Sequence, residues 1–529
     1  MLPYQIALSL TLAATSMSVQ SQALPPSQSG SAWFADAQQH VDNKARTGPQ
    51  TAAAGAPKNV ILFVGDGMGI STLAAARIYS GQLEGANGEE SLLSFERFPH
   101  SALVKTYNTD AQIPDSAGSM TAMLSGVKTN AGVLGLNSSV IRGNCAQTAG
   151  NELPSLLELA EIKGLSTGIV STARITHATP AAAYAKSADS AWEGVSNMPA
   201  TAAGEGCRDI ALQMIDFEAD TERRFPNADI NGIDVVLGGG LQHFLPNDPS
   251  TDLVNVYGQE RGERTDSLNL IQQWQTQYPD GQFVFDEAGL DALDINQQTR
   301  LMGLFNNSHL QYEAQRSEQP GREPSLSKMT GKAIELLDNN TDGYLLIVES
   351  ARIDHAHRAG NAFGALNETV ELARAVTVAQ DITNADDTLI LVTADHSHVM
   401  TFSGYPARGN PILGKVQSKG GVSPAPAMDG LSHTTLMYAN GPGFRDYGAN
   451  TNPDITFDDP IAAGRQNLSF VDTRASGFHQ ESLVPLAAET RGGEDVAIHA
   501  TGPGAYRVQG TIEQNQIFHV IDQALGLTR

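Results

Sequence analysis

Residues 59–69 read NVILFVGDGMG, and the fold follows from how this stretch is read. A short apolar run, rich in β-branched residues, ends in an acid set among glycines. That is the pattern of a strand buried on both faces that hands over to a loop. The pattern recurs along the chain. STGIVSTAR occupies Ser166–Arg174, IDVVLGGG begins at Ile233, GYLLIVES at Gly343 and DTLILVTADHSH at Asp387. Helical patterns lie between them, in LPSLLELAEIKG ahead of Ser166, SLSKMTGKAIELLDNN from Ser325 and ALNETVELARAVTVAQDI from Ala365. Buried strands alternating with helices predict an α/β fold, a three-layer sandwich around a mostly parallel sheet.

The rest of the chain fits around that core. Its 529 residues carry 41% hydrophobic and 17% charged positions, ordinary for a globular protein, and a net charge of -25. Such acidity argues against nucleic acid as a specific partner. It does not exclude a small anionic substrate, because a local cationic site overrides the global field. At the N-terminus an apolar run from Ile6 to Met17 is too short to span a bilayer and precedes the small-residue signal SQA, Ser21–Ala23. Residues 1–23 therefore read as a signal peptide of a periplasmic or secreted protein without a membrane span, and 24–56 as a linker with a first helix. The core is assigned to 57–402 and 476–529. Residues 403–475, rich in Gly and Pro, read as a crown-like insertion, and the polar stretch 245–323 as an inserted loop-and-helix region. No fixed-period repeat is visible. The two cysteines, Cys145 and Cys207, sit in glycine-bearing loops; in an oxidising compartment they read as one disulfide, otherwise as two structural thiols.

Polar residues gather at the ends of the strands. Asp66 follows ILFV, Glu349 follows YLLIV, Asp395 and His396 follow LILVTA, and Thr176, His177 and Thr179 close the GIVSTARI run. In a parallel sheet these ends open on one edge, where ligands bind. Helix capping accounts for one such acid, not for several. Ser116, in IPDSAGSMTAMLSG, heads a helical run, where free N–H groups and the helix dipole favour negative charge. It reads as a plain cap or, beside a metal, as an activated nucleophile, with Asp115 placed to orient a partner. No G-x-S-x-G elbow surrounds it, which disfavours an esterase triad. RIDHAHRAGN, Arg352–Asn361, supplies further divalent-metal chemistry in Asp354, His355 and His357, then a non-ligating Arg358.

VGDGMG, PDSAGSM, THATPAAAYA, ESARIDHAHRAGN, TADHSHVMTFSGYPARGNPILG and ETRGGEDVAIHATGP, in that order, resemble the alkaline phosphatase family in its animal-type and marine-bacterial branch. The resemblance spans roughly Asn59 to Pro503, and the cysteine pair resembles a family disulfide. It implies a phosphate monoester hydrolase that uses Zn2+ and Mg2+, takes phosphomonoester small molecules and has room for a homodimer. Ser116 would become phosphoserine. Asp66 would bridge a zinc and the magnesium, and Asp395 and His396 would contribute to the two zincs, chiefly the one beside the serine. Thr179 and Glu349 would bind magnesium with His177 in its outer shell, and Asp354 would serve a second zinc.

Three positions depart from the family pattern. Arg358 and Arg491 stand where the second zinc would find its two histidines, and Ser190 stands where a phosphate-binding arginine is expected. His355 and His357 follow Asp354 in the wrong register to replace them. A lost zinc and a lost arginine are thus offset in part by two new guanidiniums, both expected near Asp354. The departures leave two alternatives to phosphomonoester hydrolysis: a catalytically weak phosphate-binding relative, or a hydrolase of phosphodiesters or sulfate esters.

Overall fold

The computed structural model describes residues 24–47, 55–248, 262–295, 300–316, 318, 322–421, 423–428, 430–443 and 467–528. The expected leader, 1–23, lies outside them. A ten-stranded sheet forms the centre, in the order β15-β2-β14-β8-β1-β7-β3-β4-β6-β5. The five runs read from sequence are its contiguous middle: β1 (Asn59–Gly65), β3 (Ser166–Arg174), β4 (Val235–Gly239), β7 (Tyr344–Ser350) and β8 (Thr388–Ala394). All pair in parallel. Every residue of β1, β7 and β8 is buried, which explains why their sequences are continuously apolar rather than alternating.

Two groups of helices flank the sheet. Ile70–Leu83, Leu326–Leu337 and Ala362–Ile382 pack together, as do Ala32–Thr47, Ser116–Ser125, Leu156–Ile162 and Gln516–Leu525. Among the described residues no helix is long and apolar enough to cross a membrane.

The stretch 245–323 is not only an insertion of loops and helices. It contributes β5 (Gln282–Val284) and β6 (Leu301–Leu304), which extend the main sheet beyond β4. The burial of all four residues of β6 is what its polar surroundings hide. The other wing is β2 (His100–Lys105), β14 (Val496–Thr501) and β15 (Gly510–Glu513), with β14 antiparallel to both neighbours. A smaller sheet, β10-β11-β12, joins Met400–Phe402, Leu436–Gly441 and Ser482–Pro485. It reaches past both limits drawn for the crown-like insertion. A ribbon of β9 (Ser397–His398) and β13 (Arg491–Gly492) lies between the sheets and carries side chains into the site.

Candidate active site

The register of the sheet sets the site. Val64 lies level with Glu349 on β7 and Thr393 on β8, so Asp66, Glu349 and Asp395 leave three adjacent strands at one edge. Gly67, at φ 73°, makes the turn after β1 and gives its N–H to Asp395 Oδ1 at 3.0 Å. A Cβ there would fall 2.3 Å from the ring of His398, so both the backbone angle and the close approach require glycine.

Ser116 is the first residue of the helix Ser116–Ser125. The cap is its neighbour. Asp115 accepts from Ala117 N and Gly118 N, and also from Asn108 Nδ2 (2.8 Å) and Gly132 N (2.8 Å). Its carboxylate is fully engaged in fixing the helix start rather than in orienting a partner. The Ser116 hydroxyl, 1% exposed as a residue, is thereby left for other contacts. Its Oγ lies 3.4 Å from Asp66 Oδ1, 3.2 Å from His396 Nε2 and 3.2 Å from Arg491 Nη2, which donates to it.

Among the described residues, potential ligand atoms converge in three buried or nearly buried groups: Asp66 with Asp395 and His396, Asp66 with His177 and Glu349, and Asp354 with His396 and His398. His396 Nδ1 contacts the Ser397 carbonyl at 3.1 Å. With the proton there, Nε2 presents a lone pair toward Asp66 Oδ1 (3.2 Å) and Asp395 Oδ2 (3.3 Å). Asp66 Oδ2, Asp395 Oδ2 and Glu349 Oε1 are buried and accept no hydrogen bond, and His177 Nδ1 is also unpartnered. Thr179 approaches Glu349 without meeting hydrogen-bond geometry, while Ser171 donates to Glu349 Oε2 in a short contact. Burial, then the Asp395 and Asp354 charges, raise the Asp66 carboxyl well above its ordinary range; burial, then Asp66, do the same to Glu349. Bare acceptors crowded out of water are what divalent cations satisfy, so the first two groups fit metals.

The third group is arranged differently. His398 Nε2 lies 2.7 Å from Asp354 Oδ1, and its Nδ1 makes a short contact with Glu489 Oε2. Arg491 Nε is 3.7 Å from the same Asp354 oxygen. Burial alone would raise Asp354, but His398 and Arg491 hold it well below the carboxylate range. Burial alone would lower His398, but Asp354 and Glu489 push it up to about 10. Asp354 is already neutralised by the protein's own groups.

A sequence model of the family "Alkaline phosphatase" matches residues 57–527. This chain belongs to the alkaline phosphatase family. It is 43% identical over 470 residues to the tissue-nonspecific alkaline phosphatase of Gallus gallus, covering 88% of this chain and 84% of that one. The isozyme of Homo sapiens is 42% identical over 470 residues, with 88% and 83% covered. The Thermus thermophilus alkaline phosphatase structure superposes with TM-score 0.61 at 22% identity, over 90% of this chain and 95% of that one. That likeness supports the fold.

Within an alkaline phosphatase frame, the departures take distinct places. Arg491, on β13, enters the site. Arg358 ends the short helix Arg352–Arg358 exposed, and among the described residues its side chain has no ion pair, so only one of the two guanidiniums expected near Asp354 is there. Ser190 is half-buried, with its N–H on the Gly132 carbonyl. His357 turns away to Thr72 Oγ1 (3.0 Å) and Tyr438 OH (2.8 Å), and His355 packs against His309 with centroids 4.2 Å apart. Thr176 donates to Glu193 rather than facing the site. Cys145 and Cys207 form a disulfide. Sequence reading missed His398 and Glu489. The available signal was ADHSH, where His398 stands two places beyond His396.

Proposed function

We propose that this alkaline phosphatase family member hydrolyses phosphate monoesters through a phosphoserine at Ser116, with zinc at Asp66, Asp395 and His396 and magnesium at Asp66, Glu349 and Thr179. The observation that carries the reading is the setting of one hydroxyl. Ser116 Oγ stands at a helix N-terminus, between a donor, Arg491, and two acceptors, Asp66 and His396. Bound divalent cations would supply positive charge for the deprotonated serine and the phosphoryl oxygens. The protein's own contribution is positional. Asp115 fixes the helix start, so Oγ is aimed before substrate arrives. With Asp66 and His396 committed as ligands, the hydroxyl proton of Ser116 passes to solvent water. Attack by Oγ on phosphorus breaks the bond to the alcohol, which leaves with a proton from solvent. Water then attacks the phosphoserine, releasing inorganic phosphate and restoring the hydroxyl. The helix N–H groups favour the negative charge carried throughout. The apolar leader and the disulfide support export to a periplasmic or extracellular space.

A second reading, slow turnover with retained phosphate binding, is favoured by Asp354. Its neighbours here are His398 and Arg491 rather than imidazoles at 358 and 491. Purified protein is assayed on an aryl phosphomonoester, and phosphoserine is trapped by acid quench. The parent should turn over, and Ser116→Ala should lose both turnover and labelled serine while still binding phosphate. A variant at the parent rate would remove Ser116 from the mechanism. A parent that traps phosphoserine but barely turns over would establish the second reading.

A further inference from the structure

The chain lacks an arginine at Ser190, yet a phosphoryl group on Ser116 carries oxygens that need donors. The nearby guanidiniums are mostly committed. Arg142 pairs with Asp189 at 2.9 Å, and Arg174 grips Glu193 through Nε and Nη2 at 2.8 and 2.6 Å. Arg358 is exposed. Arg491 is different. Its Nη2 donates to the nucleophile, while its buried Nε has no hydrogen-bond partner, the Asp354 oxygen being too far at 3.7 Å. Nε and Nη2 share the edge of a guanidinium that presents two parallel N–H groups, the geometry that matches two oxygens of one phosphoryl group. In Arg491 that edge runs from Ser116, at Nη2, to the neighbourhood of Asp354, at Nε, with one donor unused.

We propose that the Nε–Nη2 edge of Arg491 binds two non-bridging oxygens of the phosphoryl group at Ser116, so that one residue occupies ground expected of a metal ligand and performs the binding expected of an arginine at position 190. The proposal rests on Ser116 as the phosphoryl acceptor and deepens that reading. It accounts for the approach of a cation to Asp354 in a chain that has lost two imidazoles: the guanidinium is held beside the carboxylate but not consumed by it. It also accounts for the tolerance of serine at 190. Ser190 gives its N–H to the Gly132 carbonyl, and Gly132 in turn donates to Asp115 beside the nucleophile, so an arginine at 190 would start from a loop that borders the site.

The test uses the full-length, metal-loaded protein and inorganic phosphate as the probe. Affinity is measured by titration calorimetry for the parent, Arg491→Gln, Arg491→Lys and Arg491→Gln combined with Ser190→Arg, with metal content and thermal midpoint recorded for each. Loss of a charged bidentate contact should weaken phosphate binding by ~10- to 100-fold in Arg491→Gln. Lysine, a single point donor, should recover only part, and Ser190→Arg should recover most. Metal content should stay at the parent level. Unchanged or tighter phosphate binding in Arg491→Gln overturns the proposal, as does a parent that binds no phosphate. A loss that Lys and Ser190→Arg both fail to repair, accompanied by a lowered thermal midpoint, also overturns it and marks Arg491 as structural. Should Arg491→Gln not fold, the lysine variant decides: parent-like affinity for phosphate rejects bidentate binding. The phosphate titration does not depend on turnover. A parent without phosphatase activity that nevertheless follows this pattern would discard the hydrolase reading and keep the assignment of Arg491.

Discussion

Asp354 makes the case at the scale of single residues. Its partners, His398 and Arg491, come from the β9–β13 ribbon, whereas Asp66, Glu349 and Asp395 come from strand ends. The two kinds of support were unequally visible in sequence. An acid following a buried apolar run announces itself, and Asp66, Glu349, Asp395 and His396 were legible for that reason. Ribbon residues carry no such signal, because a two-residue strand has no periodicity to read. His398 was therefore missed, as was Glu489 in the loop ahead of β13, and the outward turn of Arg358 was not foreseen. Two divalent ions per chain are expected, not three, since a zinc site needs about three protein ligands and Asp354 already has protein partners. Elemental analysis finding three would refute this. Arg358→His alone should add no metal, because Arg491 remains beside Asp354. Arg358→His with Arg491→His should add about one, and including Ser190→Arg should raise turnover beyond the sum of the single changes, since these groups act as a unit.

Among the elements, the long helix Ala362–Ile382 carries an unusual passenger. Glu368 is buried and accepts from the Glu313 N–H at 2.6 Å, and burial pushes its carboxyl up to about 8 from an ordinary 4.5. The folded chain then holds a proton that the unfolded chain releases between these values. The stability this contributes is complete below about 4.5 and is lost as pH rises through about 8. Glu368→Gln keeps an acceptor without the charge. It should raise the thermal midpoint at pH 9, by on the order of a few kcal/mol in unfolding free energy, and change little at pH 5. An equal shift at both values would contradict the argument. Strand prediction shows the same division as the site. The central β8-β1-β7-β3-β4 block was readable from continuous apolar runs. β5 and β6 were not, because three or four residues in a polar stretch fall below what a pattern can establish.

At the scale of the whole molecule, the Cys145–Cys207 disulfide closes a span of 62 residues that holds β3, His177, Thr179 and Ser190. In the chain-entropy account such a loop contributes about 4 kcal/mol. Replacing both cysteines by serine should reduce the denaturant-derived stability by roughly that amount, and an unchanged midpoint would show that the bridge adds nothing. Acid should weaken the fold through histidines kept neutral. Burial lowers His243 and His499 to about 4, so the unfolded chain takes up protons first, and their contribution, present above about 6.5, is lost as pH falls toward 4. His243→Gln should flatten the thermal midpoint between those limits; a parent-like slope would assign the acid sensitivity elsewhere.

The order of the sheet has a further consequence in time. Among the described strands β1 comes first in the chain and lies in the middle of the sheet, yet its partners are β7 and β8. The bond from Gly67 to Asp395 joins positions 328 apart, and Ser116 meets Arg491 across 375. A nascent chain can therefore not bring Arg491 to Ser116 until residue 491 has been synthesised, although Asp66, His177 and Glu349 can meet earlier. Such distant pairings form slowly and leave apolar strands waiting unpaired. The arrangement around Ser116 is therefore among the last parts of the structure to become complete.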